Sequence, residues 1–342
     1  GALQCPVSLL PLVGGLAGMG FAILLGWVTT RKSGTTFAMI TLGLAELVFA
    51  MALMIPEFFG GEGGVSGNRV MGRAVFGITF GPATQVYYLI AAYTLVSMIL
   101  MYAFTQTPLG RMLNAVRDNP ERVEFIGYNP QRVRYTAFII AGFFAGIAGG
   151  LGALTFEIVT AEVVGAARSG AYLLFTFLGG ATFFFGPILG AVLMVLAFVL
   201  LSEITKAWLL YLGLLFLLMV MFAPGGLASL IMMNLQMARW RKLGRLLPAY
   251  AALLGAGSVV LVVAFALIEM VYHRQLGGSV GPMLLFLGLQ LDTSLPRYWL
   301  GAFGLLVAAG LVFRPVLRRF SVQWDAAQHE IEQALQSKGG LP

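Results

Sequence analysis

Long apolar runs alternate with short polar breaks along the chain. Residues 9–28, 36–55, 85–104, 136–156, 207–222, 248–271 and 299–313 carry almost no charge. A helix needs ~20 apolar residues to cross a bilayer core, so each run predicts a span, the last one with help from its flanks. Residues 171–201 are apolar as well but too long for one straight span, and Gly179, Gly180, Gly186 and Pro187 interrupt them. They read as two segments with a break at 179–187. The pattern predicts an all-α, polytopic helical membrane protein with about nine transmembrane or re-entrant segments. Some of its helices are discontinuous and glycine-rich. Gly142, Gly146 and Gly150 recur at spacing four, a small-residue row that marks a helix-packing face.

The breaks differ in kind. GGEGGVSG at residues 60–67 cannot hold a stable helix, because so much glycine costs backbone entropy. Residues 70–82, with Arg69, Arg73 and several glycines, read as a short amphipathic or re-entrant piece. APGG at 223–226 closes the run before it. From Arg314 a polar tail begins. There Trp324, Ala327, Ile331, Ala334 and Leu335 share one helical face, as in a short surface helix on the membrane or on a partner.

The densest polar segment is residues 110–129, GRMLNAVRDNPERVEFIGYN. Arg111, Arg117, Asp118, Glu121, Arg122 and Glu124 lie in it, with Arg132 and Arg134 just beyond. The chain is 59% apolar and only 10% charged, so such a concentration needs a reason. Leu109, Met112, Leu113 and Val116 form one apolar face of a short helix. Asn119-Pro120 breaks or restarts that helix, and IGYNP at 126–130 ends the segment in a turn. The bland alternative is a solvated loop. The chemistry favours a handle that a soluble partner grips.

Charge then orients the chain. A mean hydropathy of +0.90 rules out an ordinary soluble domain. The net charge of +7 is no nucleic-acid footprint, because the basic residues sit in short loops between apolar runs. With the polar segment inside, fifteen of the 21 Lys and Arg are cytoplasmic: Arg31, Lys32, Arg111, Arg117, Arg122, Arg132, Arg134, Arg239, Arg241, Lys242, Arg245, Arg314, Arg318, Arg319 and Lys338. Nine crossings then leave the N-terminus outside and the C-terminus inside, whereas a different count around 171–201 would invert everything after it. The chain opens on Gly without a signal-peptide pattern, as expected if sequence precedes it. One cysteine, Cys5, excludes an internal disulfide or a cysteine metal cluster. His273 and His329 lie far apart, so no metal site is expected. No glycine-rich loop ends in Lys-Ser or Lys-Thr, so ATP hydrolysis in this chain is not expected either.

Glu46 is the sharpest charge inside a predicted span. An ionised carboxylate in hydrocarbon is costly, so it faces the bundle interior or a watery cavity. It is either a protonated or paired structural group, or part of a solute pathway. The 60–67 loop and the 179–187 break are likewise either simple turns or unwound backbone lining a pathway. Arg69 and Arg73 either dock an acidic partner or an anionic solute, or sit at the interface. Glu157 belongs at the outer end of its span.

At these residues a family resemblance enters. The 110–129 segment resembles the cytoplasmic coupling loop of branched-chain amino-acid ABC transporter permeases of the LivM type. TFAMITLGLAELV at 36–48 resembles the family's second stretch, GGEGGVSG its Gly-Gly loop, GGATFFFGPILGA at 179–191 its Gly-Gly to Gly-Pro break, and FAPGGL at 222–227 the close of its core. The motifs occur in the family's order across residues 26–227. The resemblance implies a permease core over 1–227, with its N-terminal part upstream of this chain. Residues 228–342 are then an extension with two further membrane segments and a cytoplasmic amphipathic tail.

The resemblance also implies a bacterial inner-membrane importer. The partners would be a second related permease in a heterodimer, two cytoplasmic ATPases carrying ATP and Mg, and a periplasmic solute-binding protein in the surrounding lipid bilayer. No cofactor is implied in this chain. Gly110, Arg111, Ala115, Arg117, Asp118, Asn119, Glu121, Gly127 and Asn129 are the implied ATPase-docking residues. Thr41, Glu46, Gly60, Gly61, Gly63, Gly64, Gly179, Gly180, Gly186 and Pro187 are the pathway candidates. A secondary transporter driven by an ion gradient would also use broken helices but needs no docking lever. An intramembrane enzyme needs more ionisable residues at depth than Glu46.

Overall fold

The apolar runs become helices, grouped in two units, Gly1–Ala171 and Tyr172–Pro342. The computed structural model describes residues 6–71, 80–240, 243–276, 283–286 and 288–338. Arg73, most of the 70–82 piece, Arg241, Lys242 and the side chains of Arg245, Ala327, Ile331, Ala334 and Leu335 lie outside the described residues.

The first unit contains α1 (Leu10–Thr29), α2 (Gly34–Met54), α3 (Pro56–Phe59), β1 (Val65–Ser66), α4 (Ala83–Gln106), α5 (Pro108–Asp118), α6 (Pro120–Phe125), α7 (Pro130–Phe156) and β2 (Ile158–Val159). Its main seam joins α1 to α7, and the predicted glycine row makes it. A β-carbon on Gly14 would fall 2.7 Å from the Gly146 carbonyl oxygen, and one on Gly150 would fall 2.9 Å from the Pro11 Cα. Gly18 faces Gly142 and Gly146 in the same way. The two backbones touch, and the gain is dispersion across a long, close contact. Tyr135 ties the seam at one end, its hydroxyl donating to the Ile23 carbonyl at 3.0 Å. In contrast, α2 buries only Ala52.

The second unit continues α8 (Ala166–Gly179, whose first turns belong to the first unit) with α9 (Gly186–Leu196), a π-helical turn (Ala197–Leu201), α10 (Ser202–Ile204), α11 (Trp208–Phe222), α12 (Gly226–Arg239), α13 (Leu243–Leu276), β3 (Met283–Phe286), β4 (Leu289–Asp292) and α14 (Pro296–Lys338). Phe175, Leu178, Ala197 and Leu212 form one of its buried clusters. α13 and α14 run antiparallel: Tyr250 meets Phe320 and Trp324, while Phe313 lies 3.5 Å from where a Gly257 side chain would begin.

Among the described residues, seven helical segments are long and apolar enough to cross a membrane, and α11 with α12, bent by 50° at the APGG break, makes an eighth if the pair is one broken span. The expected ninth is α8. It has 14 residues, about 21 Å, which falls short of a ~30 Å core. The tail expectation also changes. No separate surface helix starts at Arg314; α14 continues for 43 residues as one helix with Pro315 inside it. Trp324 packs on the Met237–Leu246 cluster.

Candidate functional site

The charged segment folds as three capped helix starts, each a hydrogen-bonding residue followed by proline. Thr107 Oγ1 accepts from the Gly110 N–H at 3.2 Å, and Asn119 Oδ1 from the Arg122 N–H at 3.0 Å. Asn129 Oδ1 accepts from Gln131 and Arg132 at 2.9 and 3.2 Å. Each cap satisfies donors that a helix start leaves orphaned, and proline at the first position costs no hydrogen bond. The end of α6 is closed as firmly. The Gly127 N–H donates to the Glu124 carbonyl at 2.9 Å and the Tyr128 N–H to the Val123 carbonyl at 3.2 Å. Gly127 sits at φ 88°, the left-handed residue that this closure needs.

Val116, Val123 and Val133 make one buried cluster, with Leu109, Met112 and Leu113 packed against it. This corrects the expectation for α5. Its apolar face is turned inward onto α6 and the first turn of α7 and is not offered to a partner. Gly110 is buried because α5 lies on the end of α4: a side chain there would begin 2.8 Å from the Thr105 Cα. Arg111, Ala115, Arg117, Asp118, Asn119, Glu121, Gly127 and Asn129 all face outward. Arg117 pairs with its neighbour Asp118 at 3.1 Å, an exposed bridge of small energetic weight. Phe125, 89% exposed, stands out with Ile126 and Tyr128. In the sequence these three show only as apolar residues lying off the α5 stripe.

The pathway candidates of the first unit divide. On α2 the Thr41 hydroxyl bonds its own helix, to the Phe37 and Ala38 carbonyls at 2.9 Å each. Glu46 is exposed beside Leu42, Gly43 and Leu53, and it has no hydrogen bond or ion pair among the described residues. Five residues apart on a helix, Thr41 and Glu46 do not share a face. Gly60, Gly61, Gly63 and Gly64 form a turn beyond the end of α2. Val65 and Ser66 then pair with Val159 and Ile158, so the loop lies against the end of α7. Arg69 is not free for an acidic partner: its guanidinium reaches the Leu154, Thr155 and Gly81 carbonyls at 3.3–3.5 Å and lies 3.6 Å from Glu157.

In the second unit, Gly179, Gly180 and Gly186 are buried at the tip of an antiparallel α8–α9 hairpin, and Pro187 is exposed. A side chain on Gly179 would run into Gly186 and Gly190, and one on Gly190 into Phe175. Gly180 takes the α11–α12 turn, with Gly225, Gly226 and Ala228 against it. The GGATFFFGPILGA and FAPGGL motifs thus meet in space. Sequence reasoning also missed a second carboxylate within a span. Glu269 of α13 accepts from the Tyr211 hydroxyl at 2.9 Å and from the Thr205 hydroxyl.

Residues 2–224 match the family described as branched-chain amino acid transport system / permease component. The chain is 32% identical over 239 residues to the high-affinity branched-chain amino acid transport system permease protein LivM of Salmonella typhimurium, covering 64% of this chain and 56% of that one. It is 31% identical over 236 residues to the protein of the same name from Escherichia coli K12, covering 63% and 56%. The chain thus spans little more than half the length of these relatives. No solved structure matches it.

Proposed function

The chain belongs to the branched-chain amino acid transport permease family, and from that premise we propose that it is the transmembrane permease subunit of an ATP-driven ABC importer. Its solute is a small molecule, a branched-chain amino acid or a related amide or organic acid. It works in a bacterial inner membrane with a second related permease, two cytoplasmic ATPases and a periplasmic binding protein. The charged platform and the C-terminus face the cytoplasm. ATP and Mg belong to the ATPases. Residues 1–227 serve as the permease core and 228–342 as an extension.

One observation carries this reading: α5 and α6 are held as a rigid platform on the first turn of α7 by three caps and a valine core. A flexible loop would absorb a partner's motion, whereas a rigid one delivers it to the spans on either side. Arg111, Ala115, Arg117, Asp118, Asn119, Glu121, Gly127 and Asn129 are the docking surface. Gly110 allows the platform to lie close on α4. Glu46 is the leading pathway residue of the first unit. Its side chain has no partner among the described residues, and a carboxylate on a span requires one or requires water.

The test is purification of the tagged chain from its native membrane. ATPase subunits should copurify, and the Arg117→Ala/Asp118→Ala variant should assemble yet lose solute-stimulated ATP hydrolysis. Stimulation at the unaltered level would remove the docking assignment. Solute uptake by the lone subunit would remove the importer reading.

A further inference from the structure

α7 runs unbroken for 27 residues, about 40 Å, with the platform fused to its first turn. Its other end is fastened just as deliberately. The last carbonyls of a helix are orphaned and carry its negative pole. Here Arg69 supplies both the donors and the charge, reaching the Leu154 and Thr155 carbonyls, while its own N–H donates to Glu157 Oε1 at 3.2 Å. The Gly67 N–H donates to the Glu157 carbonyl at 2.7 Å. Glu157 sits at φ 55°, a left-handed conformation that a non-glycine residue keeps only when its surroundings hold it. Gly64, at φ 69°, lies so close that a side chain would begin 2.9 Å from the Thr160 Cα. Together residues 60–69 form a strap with no slack.

The strap follows α2 directly. Gly61 rests against Pro56, and the segment after β2 reaches the Phe49 ring, 3.8 Å from where a Gly165 side chain would begin. Phe49 lies one turn from Glu46. The far end of α7 is thus joined to the outer half of α2 by two routes.

We propose that Arg69 and Glu157 are positioning residues that make the strap, α7 and the outer half of α2 move as one body. They deliver displacement of the platform to the helix that carries Glu46. The proposal rests on the importer reading above. It commits to a clasp that stays shut through the transport cycle, and it excludes a latch that must open. Two backbone-paired strand positions, a guanidinium spread over three carbonyls and glycine contacts without spare room all favour a permanent join.

Two variants of the complete complex test this in proteoliposomes, with radiolabelled leucine as the probe and ATP hydrolysis measured in parallel. In a Cys5→Ser background, Val65→Cys with Val159→Cys places two thiols at directly paired strand positions. Once oxidised, this complex should still take up leucine at the rate of its reduced form. Arg69→Gln should lower leucine moved per ATP hydrolysed by roughly three- to thirtyfold, the range in which residues along a coupling route act. Arg69→Lys, which keeps the charge but not the fork, should fall between. A merely structural role would instead lower the amount of complex and leave that ratio unchanged. Uptake that stops on oxidation and returns with reductant overturns the proposal, as does an Arg69→Gln complex with the unaltered ratio. A parent complex that hydrolyses no ATP, or pumps no leucine, removes the importer or solute reading instead. If Arg69→Gln does not assemble, the disulfide arm still decides.

Discussion

Val123 is the residue on which the platform turns, and Val123→Ala is the sharpest way to loosen it. The side chain is 2% exposed and shares its cluster with Val116 and Val133. Removing two buried methyl groups costs about 1.6 kcal/mol in transfer, at ~0.8 kcal/mol each. Incomplete collapse adds up to about 1 kcal/mol for a cavity of ~40 Å³. α6 cannot absorb that loss. Six residues are too few for an independent helix, and the Asn119 cap contributes only ~1 kcal/mol. A deficit of about 2 kcal/mol corresponds to a roughly thirtyfold rise in the undocked population. Hydrogen exchange read by mass spectrometry on the purified complex is the assay. The Gly127 and Tyr128 amides, which close α6, should exchange about thirtyfold faster, with α7 beyond its first turn unchanged. Unaltered exchange across 119–128, or loss of protection along the whole of α7, would refute the account of a locally welded platform.

Other expectations follow from the same geometry. Gly146→Leu should separate α1 from α7 and abolish recovery of folded protein, because its β-carbon would meet the Gly14 backbone; normal yield and melting temperature would contradict the backbone seam. Glu269→Ala should strand two hydroxyls at about 1–3 kcal/mol each and lower the melting temperature in detergent more than Glu269→Gln, which keeps an acceptor. Glu46→Gln should change leucine uptake or its concentration dependence, and an unaltered transport profile would leave Glu46 structural. The Ser294 hydroxyl and N–H hold the Asp292 carboxyl below its ordinary value. A depressed carboxylate stabilises the turn above its unfolded pKa of ~3.9 and loses that effect as pH falls through the folded value. Fluorescence of Trp299, bonded to the Thr293 carbonyl, should therefore stay flat from neutral pH to mildly acid and change only below that value.

The spans were legible because a charge-free run of the right length has few other fates. The α1–α7 seam was half legible: one face of it showed as a glycine row, while Gly14 and Gly18 gained meaning only beside that row. What escaped shares one cause, partners distant in sequence. The α5 stripe looked available because Val133, which covers it, belongs to another helix. Arg69 stayed open between a docking and an interfacial role because the carbonyls it reaches in α7 lie 85 and 86 residues away. Glu269 went unnoticed because its hydroxyl partners are 58 and 64 residues back. The tail was misjudged for a different reason. Arg314, Arg318 and Arg319 mark where the charge-free run ends, and nothing obliges a helix to stop there. α8 is a 14-residue segment, within the expected transmembrane or re-entrant pieces, and its shortness was hidden because an apolar run records what the segment touches and not how far it reaches.

The unbroken α14 sets a distance. Forty-three helical residues measure about 64 Å, roughly twice the thickness of the hydrocarbon, so a bilayer crossed by this helix would leave about half of the shaft outside the lipid. A fluorophore or fused domain attached at its end would be carried on a mast and kept off the membrane surface.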